Sequence, residues 1–474
     1  MKKILIIAFI PLLFTACKKD LTQLNIDPKN PATVPAEALF TNGEHNLVNT
    51  LTSSNVNLNI FRLVDQYWQE TTYTDESNYD LNQRSIPQNF WVALYRDVLF
   101  NLEKSKKLVS ASDAPGVNKN KVAQADILQV YAYYYLVTTY GNIPYTQALN
   151  IDSTTTPKYD DQTAVYSALL TRLDADIAAL DPSKEGWGAA DIMYHGDVAA
   201  WKLFANSFKL KMGITLADAD PTKAKSVVES AVAAGVFTSN ADNASFAYMS
   251  APPNTNPIWV DLVQSGRKDF VAATTIVNTM KALNDPRIPL YFTTDFAGGY
   301  SGGTPGASSN YATFSKPATT IVDPAYPALL LGYDEVAFDL AEAVERGFTV
   351  TGTAMSHYNA AVTASILYWG GTTTDATAYL AQPSVNYLTA MGTYKQKIGT
   401  QEWIALYNRG VDAWIEIRRL KYPVIDAPSS ALTAFPVRYT YPINEQNLNK
   451  ANYDAASAAI GGDKVTTMLF WDKL

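Results

Sequence analysis

One serine in the sequence has the spacing of a catalytic nucleophile. Gly299, Ser301 and Gly303 fit the G-x-S-x-G pattern, in which a serine hydroxyl attacks an acyl carbon. The pattern works only on a sharp turn between a buried strand and a helix. Here it lies in GGYSGGTPGASSN, where Pro305 and Gly306 follow at once and prevent the required helix. We therefore interpret residues 297–317 as a flexible Gly/Ser loop.

The histidines and carboxylates give no signature of a metal or cofactor site. His45, His195 and His357 match no metal-ligand spacing, and no phosphate-binding or dinucleotide fingerprint is present. We expect no metal and no cofactor. Five carboxylates fall on one predicted helix: Asp334, Glu335, Asp339, Glu342 and Glu345. Residues 335, 339 and 342 share a helix face, which we interpret as solvated or as paired with the nearby Arg346. A glycosidase pair stays open, because its two carboxylates would come from different elements across a cleft.

The N-terminal residues indicate export followed by lipid attachment. Lys2 and Lys3 precede an apolar run over residues 4–14, which is too short to span a bilayer. Residues 13–17 read LFTAC and resemble a bacterial lipobox, after whose cleavage the cysteine is acylated. Cys17 is the single cysteine of the chain. We predict a signal peptide over 1–16, a lipidated extended tether over 17–35 and a body over 36–474. The alternative is an ordinary signal that leaves Cys17 as a spare thiol.

Composition narrows the classes of partner. The chain has a net charge of −8 and no basic stripe, so nucleic acid is not expected as a partner. The 29 tyrosines and 9 tryptophans offer flat apolar faces with polar tips, which suit surfaces that stack on sugars or proteins. Most of these rings are nevertheless expected in the core.

The elements that must position these residues are mainly helical. Apolar periodicity predicts helices over residues 88–109, 121–140, 162–180, 197–217, 222–234, 333–346, 356–368 and 392–420. The last is expected to break near Gly410. Short strands are predicted at 288–296 and 437–442. Helix pairs of about 34 residues suggest a TPR-like array, although the strict repeat pattern is absent. A loop-rich insertion at about 239–321 is expected within a single domain.

A series of motifs follows in order along nearly the whole chain. They are KKD at 18–20, LNIDPKNP at 24–31, YGNIPY at 140–145, YHGD at 194–197, WKLFANS at 201–207, NDPR at 284–287, YDEVAFDLAEA at 333–343, AWIEIRR at 413–419, RYTYPINE at 438–445 and LFWD at 469–472. Together they resemble the SusD/RagB-like outer-membrane lipoproteins of Bacteroidetes, and more narrowly the second SusD-like branch. Phe338, Asp339 and Leu340 depart from the family pattern, and we interpret them as a surface change.

The resemblance implies a fold and a function. The fold would be an α-helical array of TPR-like pairs with a smaller irregular, loop-rich part that holds the ligand. The protein would be a lipid-anchored outer-membrane lipoprotein, exposed at the cell surface. It would bind a glycan, or in some members a peptide, and deliver it to a SusC-like TonB-dependent transporter without catalysis. Two alternatives remain: a lipid-anchored glycoside hydrolase, and a helical scaffold lipoprotein that binds only protein partners.

Aromatic residues in predicted loops are the candidates for ligand contact, because the family motifs do not carry the sugar-binding residues. The candidates are Tyr300, Tyr311, Tyr79, Tyr73, Trp187 and Trp259. Among them, Tyr300, Tyr311 and Tyr79 are the first choices for residues that contact the ligand. Trp91, Trp201 and Trp414 lie on helical stripes and are predicted to be core residues instead.

Overall fold

The computed structural model describes residues 34–112, 116–150 and 152–473, and they are mainly helical. The expected signal peptide, Cys17 and almost all of the tether lie outside these residues. The helices are α1 (Ala36–Thr52), α2 (Phe61–Val64), α3 (Ile86–Val92), α4 (Phe100–Ala111), α5 (Lys119–Tyr140), α6 (Gln162–Ala179), α7 (Val198–Thr215), α8 (Pro221–Ala234), α9 (Pro257–Trp259), α10 (Thr274–Ala282), α11 (Ile288–Tyr291), α12 (Tyr333–Glu345), α13 (Ala354–Tyr368), α14 (Thr373–Leu380), α15 (Tyr394–Ala405), α16 (Gly410–Leu420), α17 (Ile443–Leu448) and α18 (Lys450–Ala459). A π-helical stretch, Ala93–Leu99, joins α3 to α4.

The long helices begin and end where local chemistry requires it. Asp161 caps α6 by accepting hydrogen bonds from the backbone N–H groups of Thr163 and Ala164. Asp197 caps α7 in the same way. Gly141 follows α5 at a φ of 87°, a conformation that a residue with a Cβ adopts only with strain. Every predicted helix is present, and the predicted break near Gly410 is confirmed, since α15 and α16 are separate helices.

Consecutive helices pack against each other in pairs, as a TPR-like array requires. The pairs include α5 with α6, α7 with α8, and α12 with α13. Most buried apolar residues join one large core, and a smaller second core lies among α12, α13, α14 and α15. Trp91, Trp201 and Trp414 are buried in the large core, as predicted. Within the described part of the chain, no helix combines the length and apolar character needed to cross a bilayer.

The strands are short and lie where the sequence did not predict them. Antiparallel pairs join β1 (Trp68–Glu70) to β3 (Phe270–Ala272), and β2 (Ala244–Phe246) to β4 (Ala328–Leu331). The strand predicted at 288–296 is wrong, because a proline in its first turn starts α11 there. The strand predicted at 437–442 is also wrong. That segment is extended but bonds singly to scattered partners, such as Thr139, whose carbonyl accepts from Tyr439 N at 3.0 Å.

Four acidic residues of α12, Asp334, Glu335, Asp339 and Glu342, are buried, so the prediction of a solvated face is wrong for them, whereas Glu345 is exposed. Glu335 lies 2.6 Å from the Nζ of Lys211 and 2.8 Å from the Nη1 of Arg409. Glu342 lies 2.6 Å from both Arg346 and Arg419, which confirms Arg346 as a partner. Phe338, Asp339 and Leu340 are likewise buried, so they are not a surface change. Charges from α7, α16 and the α15–α16 connection thus lock these helices to α12.

Candidate ligand-binding surface

The Gly/Ser loop is fastened to strand β3. The N–H of Gly303 donates to the carbonyl of Ala272 at 2.8 Å, and the N–H of Thr274 donates to the carbonyl of Gly303 at 2.9 Å. Further along, Ala272 N donates to Ser315 O at 2.8 Å, so both arms of the loop contact the same strand. Residues 297–317 form an irregular loop, but its backbone is bonded to β3 and is not the flexible segment that the sequence suggested. These bonds hold its backbone in one place, which the sequence did not indicate.

Gly302 allows the loop to approach this closely. A Cβ built on Gly302 would lie 2.3 Å from the carbonyl carbon of Ala273 and 2.5 Å from the nitrogen of Thr274. Real Cβ atoms do not come that near to backbone atoms. Any side chain at this position would therefore push the loop away from β3.

The segment after β1 is tied to the same loop. The carbonyl of Thr71 accepts from Ser309 N at 2.9 Å, and Asn78 Nδ2 donates to the carbonyl of Gly306 at 2.8 Å. The segment between these two contacts carries Tyr73. The structure thus joins residues 71–79 and the Gly/Ser loop, which are more than 200 positions apart in sequence.

Four rings lie on or next to these two segments, and we call them the aromatic surface: Tyr73, Phe296, Tyr300 and Tyr311. Tyr73 and Phe296 are 70% and 86% exposed. Tyr300 and Tyr311 are half-buried. The N–H of Phe296 donates to the carbonyl of Thr313 at 3.0 Å, so the backbone of Phe296 contacts a residue two positions after Tyr311. Exposed rings of this size on a fixed backbone offer flat apolar faces to a ligand.

Cationic groups border the aromatic surface. The Nζ atoms of Lys316 and Lys268 lie 5.3 and 5.8 Å from the centre of the Tyr311 ring. Arg267 and Tyr73 line one small cleft together. Ring faces beside ammonium and guanidinium donors can stack on a sugar ring while bonding its hydroxyl oxygens.

A pair of carboxyl groups supports the 71–79 segment from inside. Burial, followed by the neighbouring Glu76 carboxyl, raises the pKa of Glu70 to about 9. Glu70 Oε2 accepts from the N–H of Ser77 at 2.9 Å, and Glu76 pairs with Arg84. At neutral pH the Glu70 carboxyl therefore keeps its proton, and Arg84 lies against the neighbouring Glu76 carboxyl.

The remaining sequence candidates are not part of the aromatic surface, because Tyr79 and Trp187 are buried and Trp259 lies on another element. Tyr79 is only 2% exposed, and burial raises the pKa of its hydroxyl to about 12. Trp187 is 4% exposed and stacks on Phe40 at 4.5 Å, so neither ring has a face open to a ligand. Trp259 is half-buried on α9, whose N-cap residue Asn256 donates to the carbonyls of Pro324 and Tyr326.

Phe296 is the residue that the sequence reasoning missed. It falls at the end of the predicted strand 288–296, where alternate side chains would be buried. The signal that could have found it is the run of glycines and polar residues directly after it, because Asp295 accepts from the N–H groups of Ala297 and Gly299 and closes a turn there. A ring at the edge of such a turn projects into solvent.

The serine of the G-x-S-x-G motif is not built as a nucleophile. Ser301 lies in irregular backbone bonded to Ser315, and in the described chain no strand leads directly into it and no helix starts directly after it. A hydrogen bond from Ser301 lowers the pKa of the Asp295 carboxyl. Among the described residues, no group of three or more His, Cys, Asp or Glu side chains is arranged to hold a metal ion.

Solved structures share this architecture. A SusD homologue from Bacteroides uniformis superposes with a TM-score of 0.79 at 28% identity, covering 92% of this chain and 99% of its own. A chitin-binding SusD homologue from Flavobacterium johnsoniae gives 0.79 at 25% identity, covering 92% and 98%. No curated protein matches the sequence. Residues 28–442 match the SusD-like_2 family, described as starch-binding and associating with the outer membrane. With most of its length matched, the chain belongs to this SusD-like family.

Proposed function

We propose that the protein is a cell-surface lipoprotein that binds an oligosaccharide on its aromatic surface and delivers it to a SusC-like TonB-dependent transporter. The observation that carries the proposal is the pair of exposed rings, Tyr73 and Phe296, on segments that are bonded to the loop fastened to β3. Stacking on an aromatic ring contributes about 1–3 kcal/mol, by analogy with nucleic-acid bases. Two such rings together give dissociation constants from about tens of millimolar to about tens of micromolar. Affinity in that range suits a receptor that must release its cargo.

Two glycan classes are the first to test. The family name refers to starch, and one similar structure is described as chitin-binding. We propose a neutral gluco-configured oligosaccharide. The full chain, purified in mild detergent, is titrated calorimetrically with maltoheptaose, chitohexaose and a hexapeptide. Saturable binding of either sugar supports the proposal, whereas binding of the peptide alone replaces the glycan with a peptide cargo.

Alanine variants locate the site. We expect Tyr73→Ala, Phe296→Ala and Tyr311→Ala each to weaken sugar binding by about tenfold, because a loss of about 1.4 kcal/mol of stacking free energy raises the dissociation constant by that factor. Met391→Ala is the matched control, because Met391 is 92% exposed on a different loop. If all three aromatic variants bind the sugar as the control does, the aromatic surface is not the site.

The anchor and the partner have separate tests. Mass spectrometry of the mature N-terminal peptide should find acyl groups on Cys17, and Cys17→Ser should release the protein from membranes. Purification of the tagged protein from outer membranes should co-purify a large β-barrel transporter. Purification alone, or with protein partners but no sugar binding, would favour the scaffold alternative. Release of shorter sugars from a polysaccharide would favour the hydrolase alternative.

A further inference from the structure

A second cavity, of about 420 Å³, opens between α4, α5 and α6. It shares no lining residue with the aromatic surface. Its walls include Lys106, Asp126, Gln129, Tyr133, Tyr145 and Arg172. Its volume lies within the range of about 300–1,000 Å³ that is usual for small-molecule sites.

The polar groups of this cavity hold one another in place. Arg172 donates two hydrogen bonds to the Asp126 carboxylate, from Nε at 3.0 Å and from Nη2 at 2.7 Å. Its Nη1 donates to the Tyr145 hydroxyl at 3.1 Å. Lys106 also pairs with Asp126, and it donates to Gln129 Oε1 at 2.6 Å. Arg172 and Lys106 are therefore held in place before any ligand arrives, which lowers the conformational entropy that binding must remove.

The charges that line the cavity do not balance. Three cations, Lys106, Lys107 and Arg172, face two carboxylates, Glu103 and Asp126. Asp126 serves both Lys106 and Arg172, and Glu103 lies 3.3 Å from both Lys106 and Lys107. One positive charge is left without a counter-charge on the cavity wall.

The next carboxyl group does not supply the missing charge. Burial, followed by the charge of Asp126, raises the pKa of Asp176 to about 9. Asp176 is therefore protonated at neutral pH and adds no negative charge beside Asp126. The surplus of one positive charge persists over the neutral range.

An unused donor lies on the same wall. The ring of Tyr133 lines the cavity, and its hydroxyl forms no hydrogen bond with any described residue. The guanidinium of Arg172 lies 5.9 Å from the centre of the Tyr133 ring and 5.7 Å from that of Tyr145. A ligand in the cavity would therefore meet a surplus positive charge, a free hydroxyl donor and aromatic carbon.

We propose that this cavity is a second ligand site, which binds a carboxylate group on a sugar acid or at the C-terminus of a peptide. One carboxylate balances the surplus charge and accepts a hydrogen bond from Tyr133, while the rest of the ligand packs on the Tyr145 ring. The inference stands independently of the neutral glycan proposed for the aromatic surface. The two sites therefore give the protein separate recognition of neutral and acidic ligands.

Saturation-transfer NMR on the full chain in detergent tests the proposal with three probes. They are sodium D-glucuronate, N-acetyl-alanyl-alanine with a free carboxylate, and D-glucose as the uncharged match for glucuronate. Binding of glucuronate alone identifies a sugar acid, binding of the peptide alone identifies a peptide terminus, and binding of both shows that the carboxylate suffices. Binding of neither acid, or glucose binding as strong as glucuronate binding, overturns the proposal.

Variants assign any binding to the cavity. Lys107→Gln removes the surplus charge from a residue that is solvent-exposed, and Tyr133→Phe removes only the free hydroxyl. We expect each to weaken binding of the acidic probe at least fivefold. Lys104→Gln makes the same charge change at an exposed position of α4 that does not line the cavity, and it should leave affinity unchanged. If all three variants bind the acidic probe as tightly as the wild type does, and still bind sugar at the aromatic surface, the assignment to this cavity is refuted.

Discussion

Substitution of Gly302 by alanine should detach the ligand loop from its strand. The added Cβ would lie 2.3 Å from the carbonyl carbon of Ala273, so an ordinary contact of 3.4 Å requires a shift of about 1.1 Å. That shift lengthens the bonds between Gly303 and Ala272 and between Thr274 and Gly303, now 2.8 and 2.9 Å, beyond hydrogen-bonding distance. Two lost bonds cost about 2 kcal/mol of unfolding free energy.

The same shift should reduce ligand affinity, because Tyr300 lies two residues from the substituted position. Denaturant unfolding measures the stability loss, and calorimetric titration with the bound oligosaccharide measures the affinity. Gly299→Ala is the matched control on the same loop, since its Cβ would meet nothing closer than 3.8 Å. If Gly302→Ala unfolds and binds as the wild type does, the fastened loop does not position the aromatic surface.

Two further predictions concern buried charges. Glu70 holds a proton in the folded state up to a pKa of about 9, whereas the unfolded chain loses it near 4.5. Its contribution to stability is thus fully present below pH 4.5 and falls as pH rises toward 9, by about 1.4 kcal/mol per pH unit. Glu70→Gln should therefore be more stable than the wild type at pH 7, and a gain that did not shrink toward pH 4.5 in urea unfolding would contradict this sign. Arg287 is fully buried with Asp285 at 2.6 Å, so Arg287→Ala should cost about 3–5 kcal/mol by leaving a buried carboxylate unpaired. Arg267→Ala removes an exposed ion pair with Asp269 and should lower the free energy of unfolding by less than about 1 kcal/mol. Thermal unfolding measures both variants, and equal losses of stability would show that burial does not determine the effect.

The helices could be predicted because their apolar spacing is a local property. α5 is apolar on nearly every side and ends at a glycine, and both features are visible in a window of about twenty residues. The segment at 288–296 has similar apolar content, but the bridge from Phe292 to Pro317 and the proline at the start of α11 replace a strand there. A short apolar run does not distinguish these outcomes.

Burial of the acidic helix could not be predicted, because its partners come from distant segments. Lys211, Arg409 and Arg419 are up to about 200 positions apart from one another, and only the packed structure brings them to Glu335 and Glu342. A row of carboxylates at helical spacing is equally typical of a solvated face.

The candidate site was predictable in part. The Gly/Ser composition indicated an irregular loop, and the aromatic residues on it could be read from the sequence. Exposure could not be read in the same way, because it depends on what the fold places above each ring. Tyr79 and Trp187 are flanked by polar or small residues, as Tyr73 is, yet Phe435 and Phe40 cover them.

The groups that attach the Gly/Ser loop to the fold are different from the rings that would contact a ligand. Its hydrogen bonds use backbone groups and polar side chains such as those of Gln69, Asn78 and Ser315. Among the described residues, none uses the side chain of Phe296 or Tyr311. Those two positions can be exchanged without removing a bond that fixes the loop. The fold therefore keeps the loop backbone in place while single substitutions change which ligand is bound. Natural variation or a designed library at positions 296 and 311 could alter ligand selectivity in this way.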